Sequence, residues 1–181
     1  KFITDDLEAI IYLDVENSNV VAELHFRYGD IEFNSFDFPP NDEYIILRQA
    51  LDEDYYIEML DSHGFQPVKS RYIMDNNDRI FKLLSDNIYE LNEKCQIYYS
   101  ESFRKMKINS AGNVNAGVSL SSNFNLLELD FELEDVPREE LKDLLKAYKV
   151  KKKYYRLKDN SFIDLEDPLI KDVWNILSNL N

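Results

Sequence analysis

Residues 136–164, VPREELKDLLKAYKVKKKYYRLKDNSFID, constrain the fold more than any other stretch, because the hydrophobic period changes once within them. Leu141, Leu144, Leu145 and Tyr148 recur at i, i+3, i+4 and i+7, so one face of a helix is apolar and has to be covered. Pro137 suits the first turn, where its missing N–H costs nothing. Glu139 and Glu140 fall at the positive end of that helix and Lys149, Lys151 and Lys152 near its negative end. Residues 154–157 and 162–165 then read as a β-hairpin over Asp159-Asn160, a pair that tolerates the positive φ of a tight turn. Asp167-Pro168 opens a last helix, with Ile170, Val173, Trp174 and Leu177 as its buried stripe.

The same stretch concentrates charge. Nine Lys or Arg against three Asp or Glu in 138–158 give it +6, within a chain of net charge −14, so the remainder stands at −20. An acidic body repels a nucleic acid, whose binding rests on neutralised phosphates, unless a local basic patch faces it. The candidate contacts are Lys149, Lys151, Lys152, Lys153, Arg156 and Lys158, with Tyr154 or Tyr155 stacking on exposed bases. The plainer reading is that the lysines cap a helix and solvate a hairpin while the tyrosines are core. The acidity serves solubility, or forms a face for a basic partner.

The rest of the chain reads as mixed structure. Residues 7–37 form a β-meander, turning at Glu16-Asn17-Ser18-Asn19 and at Tyr28-Gly29-Asp30. Val20, Ala22, Leu24 and Phe26 alternate with Val21, Glu23, His25 and Arg27, as in a half-buried strand. Pro39-Pro40 ends this unit. A short strand at 44–47 precedes a helix over 49–62, with Leu51, Tyr55, Ile57, Met59 and Leu60 apolar and Gly64 as its left-handed cap. Residues 65–74 return extended. A helix over 77–85, capped from Asp75-Asn76-Asn77-Asp78, has Ile80, Leu83 and Leu84 as its apolar stripe, and Ile88 and Leu91 extend the helical reading beyond it. A strand at 96–99, a helical turn after Ser100 and extended chain at 105–108 follow. Strands at 116–121 and 126–134 come after NSAGNVN (109–115), the most linker-like run. The expected class is α+β, mostly antiparallel strands flanked by helices, in two lobes, 1–109 and 110–181.

Catalytic and metal-binding patterns are missing. There is no GxxxxGK[ST], GxSxG or HExxH, and the four glycines do not cluster into a phosphate loop. His25 falls on the polar phase of its strand and reads as a surface residue. Cys95, the only cysteine, reads as a buried structural thiol and rules out internal disulfides. Asp52-Glu53-Asp54 reads as a solvated helix face. The acids Glu128, Asp130, Glu132 and Glu134, alternating with Leu127, Leu129, Phe131 and Leu133, read as a solvated sheet face. No run approaches a membrane span, so no membrane partner is expected. The cytoplasm is the expected compartment, and the start at Lys1 is expected of a segment from a longer protein.

The segment LLKAYKVKKKYYRLKDNSFIDLED resembles the end of the associated domain found in bacterial Swi/Snf-type helicases, upstream of their ATPase motor. The family pattern LLxAYxxxKKYYRLKDGSF is matched by Leu144, Leu145, Ala147, Tyr148, Lys152, Lys153, Tyr154, Tyr155, Arg156, Leu157, Lys158, Asp159, Ser161 and Phe162. Asn160 stands where Gly is usual, and both tolerate a left-handed turn. Phe26, Tyr28 and Gly29 match the family's F-x-YG hairpin, with Asn34 a looser match. The resemblance implies a non-catalytic accessory domain of an ATP-dependent DNA translocase. It carries over no catalytic residue and no cofactor for this segment, and places ATP and magnesium in the motor. Its implied partners are the parent's own motor lobes and DNA. The Cys/His zinc module that often precedes the domain is not represented by one cysteine.

Overall fold

Asn17 and Ser18 both adopt left-handed backbone, φ 51° and 67°, and so fold two ten-residue strands into the hairpin at the centre of the N-terminal half. A computed structural model of the chain describes residues 1–40, 42–109, 114–120 and 127–178, with side chains except at 114–120, 127–132 and 176–178. The chain divides into two compact units, Lys1–Lys105 and Met106–Asn181.

In the first unit, β1 (Phe2–Ile3) pairs in parallel with β5 (Ile45–Ile46). The central hairpin is β2 (Leu7–Glu16) and β3 (Asn19–Tyr28). β4 (Ile31–Asn34) folds back on the end of β3 through Gly29, at φ 57°. A side chain there would also press on the Asp5 carboxylate, 3.1 Å from the position of a Cβ, so two constraints select glycine. β6 (Gln66–Val68) and β7 (Arg71–Met74) form a second hairpin on β3, and β8 (Gln96–Tyr99) adds in parallel to β2. The sheet runs β6-β7-β3-β2-β8, with β4 beside β7 on β3.

Ala9, Ile11 and Leu13 pair in register with Phe26, Leu24 and Ala22, and all six are buried on one face. The alternation expected for β3 is therefore the one observed. Helix α1 (Ala50–Ser62) follows, closed by Gly64 at φ 97°. Helices α2 (Asn77–Lys82) and α3 (Ile88–Lys94) are joined without a break by a π-helical turn over Leu83–Asn87. The Asn76 side chain accepts Arg79 N–H at 3.1 Å as the N-cap. A short α4 (Glu101–Lys105) is capped by Ser100, whose hydroxyl accepts Phe103 N–H at 3.1 Å. The helical side contributes buried Leu60, Phe65, Ile80, Leu83 and Leu91 to the core.

Three expectations need correction here. Residues 65–74 are a hairpin, not one extended run, because Lys69 turns at φ 58° without any glycine, asparagine or aspartate to signal it. Only the C-terminal half of the apolar stripe assigned to α1 faces the core: Met59 and Leu60 are buried, whereas Leu51 is 86% exposed and Tyr55 46%. Glu53, only 6% exposed, is buried as well, so the 52–54 run is solvated at Asp52 and Asp54 but not at Glu53. Its carboxylate accepts the Tyr28 hydroxyl at 2.7 Å and two Arg48 N–H groups at 2.9 and 2.6 Å. A fully partnered charge of this kind can be buried where an isolated one cannot.

In the second unit, β10 (Val114–Leu120) and β11 (Leu127–Leu133) form an antiparallel ladder, Val114 opposite Leu133 and Leu120 opposite Leu127. The side chains of Glu128, Asp130 and Glu132, and residues 110–113 of the expected linker, lie outside the described residues. Helix α5 (Arg138–Lys149) begins directly after Pro137. β12 (Tyr154–Arg156) and β13 (Phe162–Asp164) form the expected hairpin, and β13 pairs in parallel with β9 (Ile108–Asn109). Asn160 turns at φ 74°, in the place where the family pattern has glycine. Helix α6 (Pro168–Ser178) ends the described chain. Leu133, Leu144, Ala147, Leu157, Ile163, Leu165, Ile170 and Val173 form one core, with Leu141, Leu145, Tyr148 and Tyr155 packed against it. The fold is α+β: among the described residues, parallel pairing adds β8 to the long antiparallel sheet and β9 to the β12–β13 hairpin, while β1 and β5 form a separate parallel pair.

Candidate functional site

The basic segment is built on the end of α5. Lys151 N–H donates to Tyr148 O at 2.9 Å and Lys152 N–H to Ala147 O at 3.1 Å, the paired bonds of a Schellman ending. That motif needs a left-handed residue after the cap, and Lys151 supplies it at φ 61°. The turn reverses the chain so that Lys149, Lys151 and Lys152 surround one cavity of about 380 Å³, completed by Tyr148, Leu165, Glu166 and Trp174. The Tyr148 and Trp174 rings lie 5.8 Å apart, tilted by 50°. The three lysines are exposed, and no ion pair engages them among the described residues.

The other candidates are placed differently. Lys153 and Lys158 are exposed on either side of β12 and do not line the cavity. Tyr154 and Arg156 share a face of β12: Tyr154 meets the Phe162 ring edge-on at 5.4 Å, and the Arg156 guanidinium lies 5.0 Å over the same ring. Burial lowers the Arg156 pKa from its ordinary value. Tyr155 points the other way, into the core, with its hydroxyl 3.5 Å from Glu140. Burial, and then the Glu140 charge, raise its pKa. Glu140 is 2% exposed and accepts Lys158 N–H at 2.9 Å, so the first turn of α5 clasps the hairpin. At the hairpin tip Asp159 accepts both Ser161 N–H, at 2.9 Å, and the Ser161 hydroxyl, at 2.5 Å.

Sequence reasoning placed Tyr148 and Trp174 in buried stripes and so missed the cavity. Ile170 and Val173 of α6 are buried as expected, whereas Trp174 is only half-buried. The available signal was that the chain's only tryptophan lies at one border of the apolar face of its helix rather than at the centre of that face.

A second concavity, about 460 Å³, lies on the uncovered face of the first unit's sheet. Tyr12, Tyr98 and Tyr99 line it with Asp14, Glu16, Glu23 and Arg71. Tyr12 and Tyr98 stack at 5.4 Å. The Tyr12 hydroxyl donates to Glu32 at 2.7 Å, and this bond, with burial and the carboxylate's charge, pushes its pKa up to about 12. His25, expected on the surface, is half-buried, its Nδ1 2.9 Å from Glu32 and its Nε2 3.5 Å from Glu23. The Asp14 carboxylate accepts the Ser100 hydroxyl at 2.6 Å and Val15 N–H at 2.8 Å, which lower its pKa. These acids are occupied within the sheet and have the geometry of structural partners.

Among the described residues, no group of three or more His, Cys, Asp or Glu is arranged to hold a metal ion. Burial pushes the Cys95 thiol up to about 11, the opposite of an activated nucleophile. No helix among the described residues is long and apolar enough to cross a membrane. The sequence model of the family described as "Bacterial SNF2 helicase associated" matches residues 1–181. No curated protein and no solved structure matches the chain.

Proposed function

The chain belongs to the bacterial SNF2 helicase-associated family, and from that membership we propose that it is a non-catalytic accessory domain that docks on, and regulates, the ATPase motor of its parent protein. The observation that carries the reading is the separation of charge. The first unit holds twenty-two acidic against ten basic residues, the second thirteen against eleven. A surface this acidic complements a basic DNA-binding motor and competes with DNA for it. The family description supports the same role.

The test is to mix the chain with its parent's motor and follow gel filtration and DNA-stimulated ATP hydrolysis. Co-elution that weakens with salt, together with a changed rate, is expected. Separate elution with an identical rate would remove the proposal.

Lys149, Lys151 and Lys152, which no ion pair engages among the described residues, favour a second reading, in which the 149–158 segment contacts DNA directly. Titrating labelled DNA at two salt concentrations tests it. Undetectable affinity, or affinity indifferent to replacing Lys151, Lys152 and Lys153 by Glu, counts against it.

A further inference from the structure

We propose that the cavity between the end of α5 and α6 binds one nucleotide of a single-stranded nucleic acid, its base stacked on Trp174 and its phosphate held by Lys149, Lys151 and Lys152. The proposal deepens the second reading above and is independent of docking on the motor.

Three observations lead to it. The first is the composition of the lining: three cations and two aromatic rings around about 380 Å³, within the range of ligand pockets. A phosphate and a flat base are the two halves of one ligand that such a lining complements, and stacking serves any base because every base has a π-face.

The second is that the lysines are left over. Four of the ten basic residues of the first unit are taken by its own carboxylates: Arg27 by Glu8, Arg48 by Glu53, Arg71 by Glu16 and Lys94 by Glu90. Lys149, Lys151 and Lys152 have no such partner among the described residues, although the chain carries 35 acids. Three like charges crowded on one helical ending repel one another, and an anion relieves that repulsion.

The third is the helix end itself. A helix C-terminus ordinarily repels anions through its unsatisfied carbonyls. Here the carbonyls of Lys146, Ala147 and Tyr148 are satisfied by Val150, Lys152 and Lys151 N–H groups, so that repulsion is damped where the lysines converge.

The ring geometry specifies the mode. Tyr148 and Trp174 are too close and too tilted for a base to lie between them, so the base stacks on the indole alone and Tyr148 buttresses it. Stacking requires an unpaired base, and a duplex hides its base faces. Glu166, also at the cavity, opposes the phosphate and weakens the site.

Trp174 is the only tryptophan of the chain and reports its own occupancy. Titration of the 181-residue chain with a short oligothymidylate should quench its fluorescence. One neutralised phosphate predicts a log–log salt slope near roughly −0.7. Replacing Lys149 and Lys152 together by Glu should abolish the quench, and Glu166→Gln should tighten binding roughly two- to fivefold. Trp174→Ala, followed by anisotropy of a labelled strand, should lose about tenfold or more. Trp174→Phe keeps a ring, should lose less, and separates lost stacking from lost folding.

Four results would overturn the site. These are no quench at low salt, equal affinity for an abasic strand, equal affinity for duplex of the same length, and equal quenching by polyglutamate. Salt-dependent anisotropy without a quench removes the cavity and leaves DNA contact elsewhere on 149–158, whereas no binding by either measure removes both.

Discussion

The Glu140 carboxylate and the Lys158 backbone N–H meet at 2.9 Å, joining the first turn of α5 to a hairpin eighteen residues further along. Replacing Glu140 by Ala leaves that N–H without its acceptor and should cost about 1–3 kcal/mol in urea unfolding. Glu140→Gln keeps a carbonyl acceptor of the same reach and should cost clearly less. Equal losses in the two variants would mean that the bond does not hold the hairpin.

Lys151 occupies a backbone region that disfavours every side chain. Lys151→Gly should raise stability by up to ~1 kcal/mol, because the left-handed cap no longer crowds a Cβ. Lys151→Val should lower it. The glycine variant also removes a cation, so it should weaken oligothymidylate binding while melting at a higher temperature. A variant that changed both in the same sense would contradict the separation of fold from site.

Tyr28 titrates late because burial, and then its bond to Glu53, push its pKa up to about 12; Tyr12 is pushed as far, chiefly by its bond to Glu32. Both values lie above the ordinary tyrosine value near ~10. The stability these phenols contribute is complete below that value and is lost as pH rises through about 12. Absorbance titration of the native chain should show ionisation deferred past the ordinary range, and Tyr28→Phe should reduce the deferred amplitude. Ionisation of all twelve tyrosines together near the ordinary value would refute this.

His63, at the end of α1, is moved the other way. Burial lowers its pKa, and the opposing pull of Glu90, 3.8 Å from Nε2, does not reverse that. The unfolded chain therefore binds the proton first. Stability is complete above the unfolded value near ~6.5 and falls as pH drops below it. His63→Gln should lose less stability than the parent chain on acidification through that window. Parallel losses would show that the ring is not the acid-sensitive group.

The second unit was legible because its signals are local. The Leu141, Leu144, Leu145 and Tyr148 stripe, the proline before α5 and the Asp159-Asn160 turn each act over a few residues, and each stands where it was expected. What was missed depends on distance. Glu53 is buried because Tyr28, twenty-five residues upstream, offers it a hydroxyl, and no window around an Asp-Glu-Asp run contains that partner. The Lys69-Ser70 turn carries no glycine, asparagine or aspartate to mark its left-handed residue. The cavity joins an α5 tyrosine to an α6 tryptophan that periodicity assigned to the buried stripes of two separate helices. The structural and functional readings of the lysines were indistinguishable in sequence, because the negative end of a helix and a phosphate site both favour cations after Tyr148.

The parallel pairing of β8 with β2 also sets an order of events during synthesis. Ile10, Ile11, Tyr12 and Leu13 find their partners only at 96–99. Until the ribosome has released that segment, one margin of the central hairpin has no strand beside it, and open strand margins are where nascent chains associate wrongly. The first unit is thus completed late, by its last strand, while the β2–β3 turn is available early. A chaperone that shields a strand margin would act on this protein in the interval between the two.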